Sequence, residues 1–108
     1  MEKEIRFYEA ADGKKPFERW FSKLRDINGK GMILKRLRRL KEGNYGKYRN
    51  LGKINKLKIH VGPGYRVYFG EYENTIIILL TGGDKSSQKK DIKNANYFWD
   101  DFLSWEAK

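Results

Sequence analysis

Three strong cations and the lone imidazole of this 108-residue chain fall close together: Lys56, Lys58, His60 and Arg66. Each type has a use on a phosphate. The planar guanidinium of Arg66 can hold two phosphate oxygens at once. Lys56 and Lys58, two apart on an extended segment, would project from one face roughly 7 Å apart. An ordinary lysine, with a pKa of about 10.4, is a poor base at neutral pH, but crowding by its twin and by Arg66 lowers that value. General base and electrostatic clamp therefore both stay open for Lys56 and Lys58. His60 is the side chain whose ordinary pKa, about 6.5, suits a proton donor at neutral pH. Tyr68 could donate a hydrogen bond or stack on a base. The plain alternative is a solvated sheet face with a structural histidine.

The local pattern must position these groups. Lys56 to Val61 and Tyr65 to Phe69 are rich in β-branched and aromatic residues and flank Gly62-Pro63-Gly64, which reads as a β-hairpin turn. With those three residues as the loop, Val61 faces Tyr65 and His60 faces Arg66. Alternation then sets Lys56, Lys58, His60, Arg66 and Tyr68 on one side. Leu57, Ile59, Val61, Tyr65, Val67 and Phe69 take the other. A one-residue slip would mix the two sets, so their separation supports the register. The apolar side is expected to be core, and the cationic side free for chemistry.

Charge carries the reading to the whole chain. The formal net charge is +10, and between Lys30 and Lys58 stand eleven Lys or Arg against one acid, Glu42. Such clustering points to an anionic partner, nucleic acid or acidic protein. Zero cysteines exclude disulfides and thiolate chemistry, and a single histidine argues against a structural zinc site. No metal ligand set and no cofactor motif is found. The segment MEKEIRFYEA lacks the apolar stretch of a signal peptide, and no apolar run is long enough to span a membrane, so a cytoplasmic protein of one domain, 1–108, is expected.

The remaining elements follow from periodicity. Glu4 to Tyr8 reads as a short strand. Pro16 opens a helix to about Asp26, with Phe17, Trp20, Phe21 and Leu24 on its buried stripe. Asn28 to Gly31 is expected to break it. A second helix is predicted from about Lys30 to Glu42, with Ile33, Leu37 and Leu40 buried and Gly43-Asn44 as a left-handed cap, giving a helical hairpin. A loop with a short strand around Tyr48 to Leu51 leads into the β-hairpin. Thr75 to Leu80 is apolar at nearly every position, as in a central strand covered on both faces. After Gly82-Gly83, Asp84 is a plausible N-cap for a last helix carrying Ile92, Ala95, Trp99 and Phe102 or Leu103.

Taken together, KLKIHVGPGYRVYF and the later IILLTGGDKSSQKKDI with Ala95 resemble the RelE/HigB/ParE superfamily of toxins from bacterial toxin–antitoxin modules, and within it the phage-related addiction module killer proteins. The resemblance covers almost the full length, including Phe17, Trp20 and the GNYG after the second helix. It implies an α+β fold: an N-terminal strand and a helical hairpin packed on a twisted antiparallel sheet, with a C-terminal helix. It also implies metal-free cleavage of mRNA at the ribosome, or, as in ParE-like members, inhibition of DNA gyrase by binding alone. A basic nucleic-acid-binding module is the third reading. Arg66 matches the arginine of the GYR motif. Lys56 and Lys58 stand where the subgroup often has glutamate and arginine, and where RelE-like members use lysines. Lys85 matches a cation after the last strand, and Asp84, Gln88 and Asp91 complete the motif. A later arginine and a stacking tyrosine of the RelE pattern have no counterpart, Tyr97 lying too far along. The candidate catalytic groups are thus Arg66, Lys58, Lys56 and His60, and the candidate RNA contacts Lys85, Tyr68, Arg38 and Lys53. The implied partners are the ribosome, mRNA and a cognate antitoxin of helix-turn-helix type, forming a hetero-oligomer.

Overall fold

The computed structural model describes residues 1–107. In chain order the elements are β1 (Glu4–Phe7), α1 (Pro16–Lys23), α2 (Ile27–Lys41), β2 (Tyr48–Asn50), β3 (Asn55–Ile59), β4 (Tyr65–Tyr72), β5 (Ile76–Gly83), a 3-10 turn (Lys85–Ser87) and α3 (Gln88–Glu106). This is the α+β arrangement expected. The strands lie in the order β1-β5-β4-β3-β2. Their neighbouring pairs are antiparallel except β1 and β5, which run parallel, so the sheet is mixed. No helix among the described residues is long and apolar enough to cross a membrane.

Alternation splits the core into two layers. On one face Leu57, Ile59, Tyr65, Val67, Phe69, Ile77 and Leu79 pack against Phe17 of α1 and Ile33, Leu37 and Leu40 of α2. On the other, Tyr68, Ile78 and Leu80 pack against Ala95 and Trp99 of α3. Both faces of β4 and β5 are therefore covered, as their near-continuous apolar runs require. The second layer corrects the expectation that the cationic side of the sheet is free. Over β4 and β5 that side lies under α3, and only its margin stays open.

Two boundaries move for reasons of packing. α1 ends at Lys23, and α2 begins at Ile27, because the Asp26 carboxylate accepts the Gly29 N–H at 2.9 Å and caps the helix. Gly29 is thus no breaker. A Cβ there would approach Tyr65 Cε2 to 2.5 Å and Asp26 Oδ2 to 2.7 Å, so its absence lets α2 settle on the sheet. Likewise β5 runs on through Gly82 and Gly83, beyond the expected end at Leu80. A side chain on Gly82 would collide with the Trp20 indole on one face, and one on Gly83 with Asp91 and Ser87 on the other. These two glycines mark where the helical layers come closest to the strand.

Candidate functional site

The site grows from the β3–β4 hairpin. Its connection spans residues 60–64, longer than the three-residue turn expected, and Arg66 lies opposite Lys58 rather than His60. The cause is local. The Val61 N–H turns back to the Ile59 carbonyl at 3.0 Å, a three-residue turn centred on His60, and the Gly64 N–H bonds the Val61 carbonyl at 3.0 Å. Gly64, with φ of +78°, takes the left-handed conformation that closes the loop. His60 and Val61 thereby leave the ladder. The register shifts by two residues, and because the side-chain period is also two, Lys56, Lys58, Arg66 and Tyr68 keep their common face.

Arg66 is 3% exposed, beside the mouth of a cleft of about 350 Å³ that it lines with Lys58, His60, the 61–64 loop and Lys85. Its Nη1 donates to the Gly64 carbonyl at 2.6 Å, which orients the guanidinium, and its buried Nε has no partner among the described residues. Across the ladder, Arg66 pairs with Gly83. The bare Gly83 admits the start of α3, and the Asp84 carboxylate caps the 3-10 turn by accepting Ser86 N–H at 2.9 Å. The hydrogen bond from the Ser86 hydroxyl, then the backbone N–H groups of Ser86 and Ser87 and the charge of Arg66, hold the Asp84 carboxyl below its ordinary pKa against a smaller opposing effect of burial. That turn carries Lys85 to the rim.

Lys56 is half-buried within the group. Burial lowers its pKa first, and the neighbouring charges of Arg66, Arg49 and Lys58 lower it further. Its Nζ donates to the Gln88 side-chain carbonyl at 2.9 Å, a neutral partner. Deeper in, the Ser87 hydroxyl donates to Asp91 at 2.5 Å, and burial raises the Asp91 carboxyl above its usual range.

Tyr68 requires correction. It is fully buried between the sheet and α3, so it cannot stack on a base, and its hydroxyl has no partner among the described residues. Burial pushes its pKa up to about 12. The other candidates divide. Lys56, Lys58, His60, Arg66 and Lys85 gather around two adjoining clefts. Arg38 sits on the exposed side of α2 and lines neither. Lys53, beyond the other end of β3, pairs with Asp100 of α3 at 3.3 Å.

Three further cations belong to this region. Lys47, Arg49 and Tyr48 line the second cleft, of about 310 Å³, with Lys56, Lys58 and His60. Arg36 of α2 donates Nη1 to the Lys58 carbonyl at 2.8 Å and Nη2 to the Lys47 carbonyl at 2.9 Å, tying the two segments together. The sequence signal for Lys47 and Arg49 is their two-residue spacing, the same as that of Lys56 and Lys58.

A protein of Haemophilus influenzae, described only as an uncharacterized protein, is 45% identical to this chain over 80 residues, covering 73% of this chain and 81% of that one. The chain belongs to the family of that protein. No protein-family model matches it. The description of that relative names no chemistry.

Proposed function

We propose that this chain is the toxin of a type II toxin–antitoxin module, a metal-independent endoribonuclease that cuts mRNA at the ribosome in the cytoplasm. The observation that carries the reading is Arg66: a guanidinium buried at the margin of an open cleft, fixed through Gly64, with Lys58, His60 and Lys85 around the same opening. The likeness of GPGYRVYF and GGDKSSQKKDI to the addiction module killer proteins supports it.

In this reading a phosphodiester lies in the cleft with a non-bridging oxygen pair on Arg66. Lys56, whose burial and cationic neighbours favour the neutral amine, removes the proton of the 2′-hydroxyl, directly or through water. The 2′-oxygen then bonds to phosphorus and the bond from phosphorus to the 5′-oxygen breaks, leaving a 2′,3′-cyclic phosphate. His60 gives a proton to the departing oxygen. Lys58 and Lys85 share with Arg66 the charge that builds on the phosphorane. A cognate helix-turn-helix antitoxin is the partner that keeps this surface covered in the cell.

The test is expression of the wild-type chain and of Arg66→Ala, following growth and transcript integrity together. Growth arrest with new transcript ends, both lost in Arg66→Ala, is the expected result. Arrest with intact transcripts and trapped gyrase–DNA complexes would replace this reading with the gyrase one.

A further inference from the structure

Arg49 stands directly opposite Lys56 across the β2–β3 ladder, and Lys58 directly opposite Arg66 across β3–β4. Directly opposed like charges destabilise a sheet. None of Lys47, Arg49 or Lys58 has a carboxylate within ion-pair distance among the described residues. Lys47, two residues before Arg49, continues the same face and lines the same cleft. The result is a cationic file crossing three strands, from Arg66 through Lys58 and Lys56 to Arg49 and Lys47, about 10 Å across at the usual strand spacing. Arg36 clamps the backbone of Lys47 to that of Lys58, so the repelling segments cannot splay apart.

We infer that this file is a track for the sugar-phosphate backbone of single-stranded RNA, in which Arg49 and Lys47 hold phosphates next to the one at Arg66. The inference rests on the endoribonuclease reading of the Arg66 cleft and extends it to a second subsite. The two clefts share Lys58 and His60, so a strand held at Arg66 leads into the second cleft without leaving cationic surface. Tyr48, 47% exposed at the rim of that cleft, adds an aromatic surface of the kind on which unpaired bases stack.

The experiment uses fluorescently labelled 2′-O-methyl oligoribonucleotides, which cannot be cleaved at the blocked oxygen, as a dinucleotide and a hexanucleotide. Binding is measured by anisotropy across a salt series for the wild-type chain, for Lys47→Ala/Arg49→Ala, and for Lys35→Ala/Arg39→Ala, which removes equal charge from the exposed side of α2. In the Lys47→Ala/Arg49→Ala chain, hexanucleotide affinity should drop about ten-fold and the slope of log K against log salt should flatten by about 1.4, two single-strand phosphate contacts. The dinucleotide should be unaffected, and the Lys35→Ala/Arg39→Ala chain should behave as wild type. An unchanged slope, or an equal loss in the α2 variant, overturns the track. So does a loss seen for polyglutamate but not for the hexanucleotide, which would make the surface a dock for acidic protein. If the wild-type chain binds the hexanucleotide as expected but never cuts mRNA on the ribosome, the endoribonuclease reading fails while the track stands.

Discussion

The ammonium of Lys56 donates to the side-chain carbonyl of Gln88 at 2.9 Å, which ties the middle of the cationic sheet to the first turn of α3. A carboxylate in that place would hold the proton on Lys56, whereas an amide fixes the side chain without adding charge. With burial, Arg66, Arg49 and Lys58 all acting against the charged form, the amine is easier to deprotonate than a free lysine.

Replacing Gln88 by Glu should therefore raise the Lys56 pKa, and Gln88→Ala should leave it low. NMR detection of the Lys56 side chain through a pH titration reads this directly. In cleavage assays the acidic limb of the pH–rate profile should move to higher pH in Gln88→Glu, as for a base that must lose its proton first. The stability sign follows from the same shift. The folded pKa lies below the unfolded one, so the unfolded chain binds more protons in the window between them, and this contribution rises with pH through that window. In Gln88→Glu the Lys56 contribution to that rise should shrink.

Arg66→Lys should not rescue Arg66→Ala. The native guanidinium is anchored by Nη1 to Gly64 and still presents further donors, which one ammonium cannot reproduce. Both variants should lose about 10²- to 10³-fold in cleavage rate, the usual cost of removing one transition-state contact. Single-turnover kinetics on mRNA positioned in the ribosome would measure it, and a near-native rate in Arg66→Lys would show that charge alone suffices.

Much of this site is legible in the sequence because side-chain alternation survives errors of two. The hairpin turn expected from Gly62-Pro63-Gly64 lies two residues off in register, yet Lys56, Lys58 and Arg66 remain together, since only an odd slip exchanges the faces. What alternation cannot reveal is which face a distant helix will cover. Tyr68 has the same parity as Lys56 and Lys58, and it is buried because α3 crosses the middle of the sheet, a fact of tertiary packing alone. Gly29 and Gly83 mislead in a similar way. Glycine reads as a break or a turn in a sequence, whereas here its missing side chain makes room for Tyr65 and for Asp91. Lys47 and Arg49 escape notice because β2 is a three-residue edge strand within a Gly- and Asn-rich segment, too short to show a period.

Tyr68→Phe should be neutral or mildly stabilising. The hydroxyl is buried with no partner among the described residues, and a buried polar group with no hydrogen bond costs about 1–3 kcal/mol of desolvation. Urea unfolding of the two proteins makes the comparison. Binding of the hexanucleotide should be unchanged as well, whereas a residue that stacked on a base would show a clear loss.

Gly83→Ala should be strongly destabilising. The new methyl group would meet the Asp91 carboxylate and the Ser87 hydroxyl, both held by the start of α3 and neither the tip of a flexible chain. Overpacking of this kind costs about 1–3 kcal/mol or more. Thermal unfolding reports the loss. A Gly83→Ala/Asp91→Ala double variant, which removes one of the colliding groups, should recover part of it, and strict additivity of the two changes would count against the contact.

Asp26 links the helical hairpin to the loop beside Arg66. Its carboxylate caps α2 through the Gly29 N–H and accepts the Tyr65 hydroxyl at 2.9 Å, and Tyr65 opens β4 immediately before Arg66. The backbone N–H of Gly29, followed by the Tyr65 hydroxyl, holds the Asp26 carboxyl below its ordinary pKa. Because the folded pKa is depressed, its contribution to stability is complete above the unfolded value and disappears as pH falls through the folded one. Asp26→Asn keeps a capping oxygen but removes the charge, so it should flatten that acid-side slope while retaining most of the stability at neutral pH. Asp26→Ala should lower the melting temperature at neutral pH and, by freeing Tyr65, loosen the 60–64 loop. Hydrogen exchange at the Gly64 and Val61 amides would detect the loosening, and protection equal to wild type in Asp26→Ala would show that the loop is held from the strand side alone.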